Sequence, residues 1–132
     1  MPAAFQQYFS GLPEKKLFVT SFDRRIARVY PISLWRETEK FFENHIDNPQ
    51  EAENLLFNAY DTGGDSEVDS QGRVLFPPEL RRELGIENQS VRILAAKGRI
   101  EVFSEAIYQE RKRQASATAP ADLKVLERSG LR

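Results

Sequence analysis

At 132 residues, with an apolar fraction of 40% and nine Phe, the sequence suffices for one compact domain or for two half-size units sharing a core. The lack of cysteine excludes disulfides, thiolate metal sites and cysteine nucleophiles, and the single histidine, His45, excludes a two-histidine metal site within one chain. A net charge of −1 excludes the coating of nucleic acid by bulk electrostatics, so anion recognition must come from local clustering.

In chain order, residues 16–30 (KLFVTSFDRRIARVY) carry two apolar runs, Leu17, Phe18 and Val19, then Ile26, Ala27, Val29 and Tyr30, around a polar centre, which is the pattern of a β-hairpin. Pro31 ends the second strand, and SLWRETEKFFENHI follows as an amphipathic helix, with Ser33 as its N-cap and Leu34, Trp35, Phe41, Phe42 and Ile46 at helical spacing. His45 reads as a surface or helix-end residue. Pro49 opens a second helix bearing Ala52, Leu55, Leu56 and Ala59, and DTGGDSE after it reads as an acidic glycine-rich connector. Beyond the polar turn DSQGR, the residues Val74, Leu75 and Phe76 form a short strand stopped by Pro77 and Pro78. PELRRELGI is a short helix with Gly85 as its left-handed C-cap, and Lys97-Gly98 is a tight hairpin turn between SVRILAA and RIEVF. A third long helix begins at Ser104 with Ile107 facing inward, and residues 115–132 read as a flexible tail. No run approaches the roughly 18 apolar residues of a membrane span and no signal peptide is visible, so a cytoplasmic protein is expected.

The chain also repeats itself. VFSEAIY at 102–108 matches VYPISLW at 29–35 in type and spacing, each preceded by a hairpin, and PPELRRELG matches MPAAFQQYFSG, with Pro77 opposite Pro2 and Leu80 opposite Phe5. Each unit thus reads helix, strand, strand, helix. Within the second unit the charge shifts: Arg73, Arg81, Arg82, Arg92, Lys97 and Arg99 outnumber Glu79, Glu83 and Glu87 between residues 72 and 100.

Asp69, Gly72 and Arg73, then Val74-Leu75-Phe76, Pro77, Leu80 and Arg81, stand as an Asp-x-x-Gly-Arg string followed by a short apolar strand, Pro and Leu-Arg. With the Tyr30-Pro31 and Trp35 junction after the first unit, and in the same order over about residues 1–112, the chain resembles the MraZ family, whose members carry two tandem SpoVT-AbrB domains. The resemblance implies an α+β fold of two tandem swapped-hairpin AbrB-type β-barrel half-units: a first, truncated domain at 1–34, linking helices at 35–62, a second domain at 64–107, and a C-terminal helix and flexible tail at 108–132. Family members open with a further Asp-x-Lys-Gly-Arg strand pair ahead of the Pro aligned with Pro2. This sequence lacks it: either the true start lies upstream of Met1, which is the favoured expectation, or the chain is a shortened variant.

By the same resemblance the protein is a sequence-specific DNA-binding transcriptional regulator, of repressor type, acting on repeated promoter boxes of the division and cell-wall gene cluster. It is expected to work as a ring-shaped homo-oligomer in the cytoplasm and nucleoid, with no cofactor, metal or membrane partner. Arg73 is the residue expected to touch DNA, Gly72 permits close backbone approach, and Asp69 orients the turn by an Asx-type bond or an ion pair to Arg73. Arg81, Arg82 and Arg99 are candidate phosphate contacts. The plainer readings are that Arg73 is only a structural partner of Asp69 and that Arg81 and Arg82 are helix-surface charges; Ser66, Ser70 and Gln71 beside the turn are ordinary turn residues on the same terms. An alternative function is an oligomeric, antitoxin-like protein-interaction module whose partner-binding segment is the tail. Enzyme readings fall away, because no nucleophile–base pair is visible and DTGGD lacks the strand–helix order of a phosphate-binding loop.

Overall fold

A computed structural model describes residues 14–132 apart from 88 and 90. Strands β1 (Lys16–Thr20) and β2 (Ala27–Pro31) form the expected hairpin, with Leu17 opposite Pro31 and Thr20 opposite Arg28. The polar centre closes because Asp23 accepts the backbone N–H groups of Arg25 and Ile26 at 2.9 and 3.0 Å. Helix α1 (Ile32–Asn44) follows without a break. Ser33 is not its cap: Pro31 takes that place, and the Ser33 N–H and hydroxyl inside the first turn both donate to Glu14. His45 ends the helix, stacked on Phe41 at 5.0 Å with Nε2 3.1 Å from Asn48 Oδ1. Helix α2 (Pro49–Thr62) starts at Pro49 as expected.

Two further readings are corrected here. The connector DTGGDSE is ordered: α2 runs into it as far as Thr62, and Gly64–Glu67 forms β3, an edge strand antiparallel to β1. Its residues are poor strand formers, and the strand exists because β1 offers an unpaired edge where α2 returns to the sheet. Thr20 Oγ1 donates to Ala59 O at 2.6 Å and Thr62 Oγ1 receives the Ser21 N–H at 3.2 Å, which fixes that return. Conversely, Val74, Leu75 and Phe76 form no strand. Val74 and Phe76 are buried and Leu75 is 72% exposed, so the alternation is real, but the tie to β3 is the Ser66 hydroxyl on Leu75 O at 2.9 Å.

Helix α3 (Pro78–Leu84) ends as a left-handed cap, with Gly85 at φ 63° and the Gly85 and Ile86 N–H groups on Arg82 O and Arg81 O. Strands β4 (Val91–Ala96) and β5 (Arg99–Ser104) turn through Lys97 and Gly98, both at positive φ, and Ser104 Oγ caps helix α4 (Glu105–Arg128) by accepting the Ile107 N–H. The expected flexible tail is corrected as well: α4 continues through it to Arg128, past Pro120. No residue of α4 is buried, so the alanines at 115, 117, 119 and 121 and the straight-chain residues after them extend it on intrinsic propensity. The helix expected around Pro2 and Phe5 lies outside the described residues.

The sheet order is β3-β1-β2-β5-β4, antiparallel throughout and open. On one face, Leu17, Val19, Ala27, Val29, Ile100 and Val102 pack with Val74, Phe76, Leu80 and Leu84; on the other, Phe18, Phe22 and Tyr30 pack with Trp35 and Ala59, and the Phe18 and Trp35 rings stack at 4.3 Å. The two hairpins meet through β2 and β5, where Ala27 pairs with Val102, Arg28 with Glu101 and Val29 with Ile100. These pairs exchange under a local two-fold through Arg28 and Glu101, the symmetry that aligning Val29 with Val102 would produce.

Two outcomes follow from this packing. A Cβ at Gly63 would lie 2.5 Å from Ala59 O and 2.7 Å from Thr20 Oγ1, so Gly63→Ala should lower stability by roughly 2–4 kcal/mol in urea denaturation. Removing residues 115–132, in contrast, should leave the midpoint temperature unchanged within about 2 °C, because that part of α4 buries nothing.

Candidate nucleic-acid interface

Beyond β3 the Val68 N–H donates to Lys15 O at 2.9 Å, holding the chain against the start of β1 before it turns. The turn is closed by Gly72 N–H on Asp69 O and by Asp69 N–H on Arg73 O, each at 3.0 Å. Gly72 sits at φ 79°, a conformation that a side chain would strain. Asp69 makes both of the bonds considered for it. Oδ1 accepts the Gln71 and Arg73 N–H groups at 2.8 Å each, and Oδ2 accepts Arg73 Nε at 2.9 Å. The Arg73 backbone N–H, then its side chain and the Gln71 N–H, hold the Asp69 carboxyl below the usual carboxylate range.

Arg73 is thereby aimed. Its side chain is 56% exposed, Nε is occupied by Asp69, and the two terminal nitrogens take no bond among the described residues. A guanidinium fixed through Nε presents its outer N–H groups as a planar fork for two acceptors, phosphate oxygens or the O6 and N7 of guanine. Because Asp69 balances the charge, its attraction for a polyanion is short-ranged and depends on geometry.

The other expected contacts divide. The register puts Glu67, Lys16, Pro31, Arg99 and Ala96 at one end of the sheet, so Arg99 shares an end with the Arg73 turn, three strand spacings or about 14 Å across. Arg99 does not reach toward that turn but lines a cavity on the helix face. Arg81 and Arg82 are elsewhere, on α3. The preceding chain crosses to the opposite end of the sheet, where Pro77 lies against Gly64, and α3 is tied there by Glu83 to Arg24. Arg82 pairs with Glu79, and Arg81 Nε, buried without a hydrogen bond, has Glu87 at 3.8 Å.

Sequence reasoning missed the work of the first hairpin turn. Arg24, at φ 61°, donates to Asn58, Asp61 and Glu83 at 2.8–2.9 Å and so clamps α2 and α3 to the turn. It also read Lys97 as a basic hairpin-turn residue without assigning it a contact, whereas the register places this tip of the second hairpin at the Arg73 end. Among the described residues no group of carboxylates and histidine could hold a metal ion, and no helix is long and apolar enough to cross a membrane.

The sequence is similar to that of known proteins. The family model for MraZ protein, which carries an antitoxin-like description, matches residues 64–127, the stretch from β3 through almost all of α4. Proteins named transcriptional regulator MraZ are similar along most of the chain. The one from Herpetosiphon aurantiacus is 30% identical over 109 residues, covering 83% of this chain and 73% of the relative. That from Solidesulfovibrio magneticus is 30% identical over 142 residues, covering 99% and 86%. That from Thermus thermophilus is 29% identical over 122 residues, covering 92% and 82%.

The turn predicts its own titration. Because the Asp69 carboxyl is depressed in the folded chain, its contribution to order is present above the ordinary value of about 3.9 and is lost as pH falls through the lower folded value. Carboxyl-carbon NMR should give Asp69 a midpoint below that ordinary value. In Arg73→Ala the midpoint should rise only part of the way, since the two backbone N–H donors remain.

Proposed function

The chain belongs to the MraZ family, and from that premise we propose that it is a transcriptional regulator that reads promoter DNA through the Arg73 turn. The observation that carries this reading is the half-exposed Arg73 fork, held by Asp69 on a turn that Gly72 allows, with its outer nitrogens unengaged among the described residues. Asp69 acts as a positioning group and does not meet the polyanion. Arg81 and Arg82 are assigned no contact alongside Arg73, because α3 is anchored at the far end of the sheet. Arg99 is assigned none either, since it faces the helix-side cavity.

A subunit of net charge −1 with one charge-balanced reading turn binds DNA weakly by itself. Affinity on this reading comes from several copies in a ring-like homo-oligomer, each turn engaging one of a series of short promoter boxes in the division and cell-wall gene cluster. The linked contacts multiply through effective concentration. Repression of that promoter in the cytoplasm is the simplest outcome of such occupancy. A second reading has its own observation: beyond the body of the protein α4 presents Leu123, Val125 and Leu126 to solvent, an apolar surface that suits a protein partner of an antitoxin-like module.

The test is fluorescence anisotropy with a duplex carrying repeated promoter boxes and with a scrambled duplex. Arg73→Ala should lower specific affinity by about tenfold or more for each engaged turn, leave binding to the scrambled duplex unchanged, and leave the oligomer intact by light scattering. Arg73→Lys should fare little better, as it keeps the charge and loses the fork. Unaltered promoter affinity in Arg73→Ala would overturn the assignment.

A further inference from the structure

On the helix face of the sheet, between α1, β2 and the start of β5, lies a cavity of about 310 Å³. Arg28, Lys97 and Arg99 line it, with Phe22, Tyr30 and Phe42 among its apolar walls and no carboxylate among its lining residues.

The three cations differ from the other arginines around them. Arg24, Arg25, Arg73, Arg81, Arg82 and Arg92 each have a carboxylate partner, whereas Arg28, Lys97 and Arg99 have none among the described residues. Glu101 stands opposite Arg28 in the sheet without pairing to it. Arg99 Nε is buried and makes no hydrogen bond among the described residues, a state that costs free energy unless a partner arrives. Arg28 is oriented, with Nη1 donating to Tyr30 OH at 3.0 Å and its guanidinium carbon 5.2 Å from the centre of the Phe22 ring.

The fold supplies an internal control. Arg24 and Lys97 occupy the left-handed positions of two hairpin turns that the local two-fold through Arg28 and Glu101 relates. Arg24 is met by Asn58, Asp61 and Glu83, while Lys97 meets no acid among the described residues and opens on the cavity. The two turns differ in length, but their related left-handed cations are treated oppositely: Arg24 is neutralised, while Lys97 stays cationic beside an aromatic wall.

We propose that this cavity binds a small amphipathic anion, an oxyanion head of carboxylate or phosphate type on an apolar body. The head would be held by Arg99, Lys97 and Arg28, and the body would lie against Phe22, Tyr30 and Phe42. The volume is at the small end for ligand sites, which suits a short acyl or aryl group. The proposal is independent of the DNA reading, because Arg73 lines no part of the cavity.

Trp35, the single tryptophan, reports on the site: its ring lies 5.3 Å from Tyr30 and 6.1 Å from Phe22. The experiment titrates the full chain with octanoate, octyl phosphate, 1-octanol and inorganic phosphate, following Trp35 fluorescence and binding heat. A saturable response to octanoate or octyl phosphate is expected, at least tenfold tighter than to octanol or inorganic phosphate; the two amphiphiles decide which head is preferred. Arg99→Ala and Lys97→Ala should each weaken it at least fivefold without lowering the thermal midpoint, and Arg73→Ala should leave it unchanged. Equal binding of octanol, equal binding of inorganic phosphate, no saturable response to either amphiphile, or full binding by the folded Arg99→Ala variant would each overturn the proposal.

Discussion

Three backbone pairs, Ala27 with Val102, Arg28 with Glu101 and Val29 with Ile100, join two hairpins into one sheet. A lone hairpin is marginally stable in water, because two strands cannot bury a face. Across this joint, Leu17, Val19, Ala27 and Val29 from one hairpin meet Ile100 and Val102 from the other, and the resulting face has enough apolar surface to receive Val74, Phe76, Leu80 and Leu84. The helices depend on the same joint: α1 packs behind the first hairpin and α4 begins behind the second.

The joint also decides which loops can act together. Antiparallel pairing through β2 and β5 sends the two hairpin turns to opposite ends of the sheet. The turn carrying Arg24 ends up among α2 and α3, whose Asn58, Asp61 and Glu83 take up its charge. The turn carrying Lys97 ends up on the end to which β3 delivers Asp69, Gly72 and Arg73. Local bias of charge in an overall acidic chain therefore arises from topology, and the carboxylates are placed as selectively as the cations.

Asp69 illustrates how one carboxylate can close a turn and orient a cation at once. It spends one oxygen on two backbone N–H groups and the other on Arg73 Nε, so its charge sets the turn and the plane of the guanidinium together. A guanidinium so held loses little freedom on meeting two acceptors. The arrangement trades long-range attraction for direction.

Much of this was legible because its causes are local. The hairpin at 16–30, the Pro starts of α2 and α3, the Gly85 cap, the helix start at Ser104 and the Lys97-Gly98 turn all follow from interactions within a few residues, and all are present. The Asp69, Gly72 and Arg73 turn belongs to the same class. What could not be read depends on partners distant in sequence. Gly64–Glu67 has no strand propensity and becomes β3 because β1 has an open edge, whereas Val74, Leu75 and Phe76 have the pattern of a strand and find no ladder. Sequence proximity grouped Arg81 and Arg82 with Arg73, and the crossing of residues 73–77 to the far end of the sheet separated them. Arg28 lies about seventy residues from Lys97 and Arg99, and shares a cavity with them because the β2–β5 register brings the two hairpins together. The sequence by itself determined the turns, the Gly85 cap and the Asp69–Arg73 pairing, since each is an affair of neighbouring residues; only the tertiary structure decided which charges are neutralised and which remain, since that depends on which strand edges and helices meet.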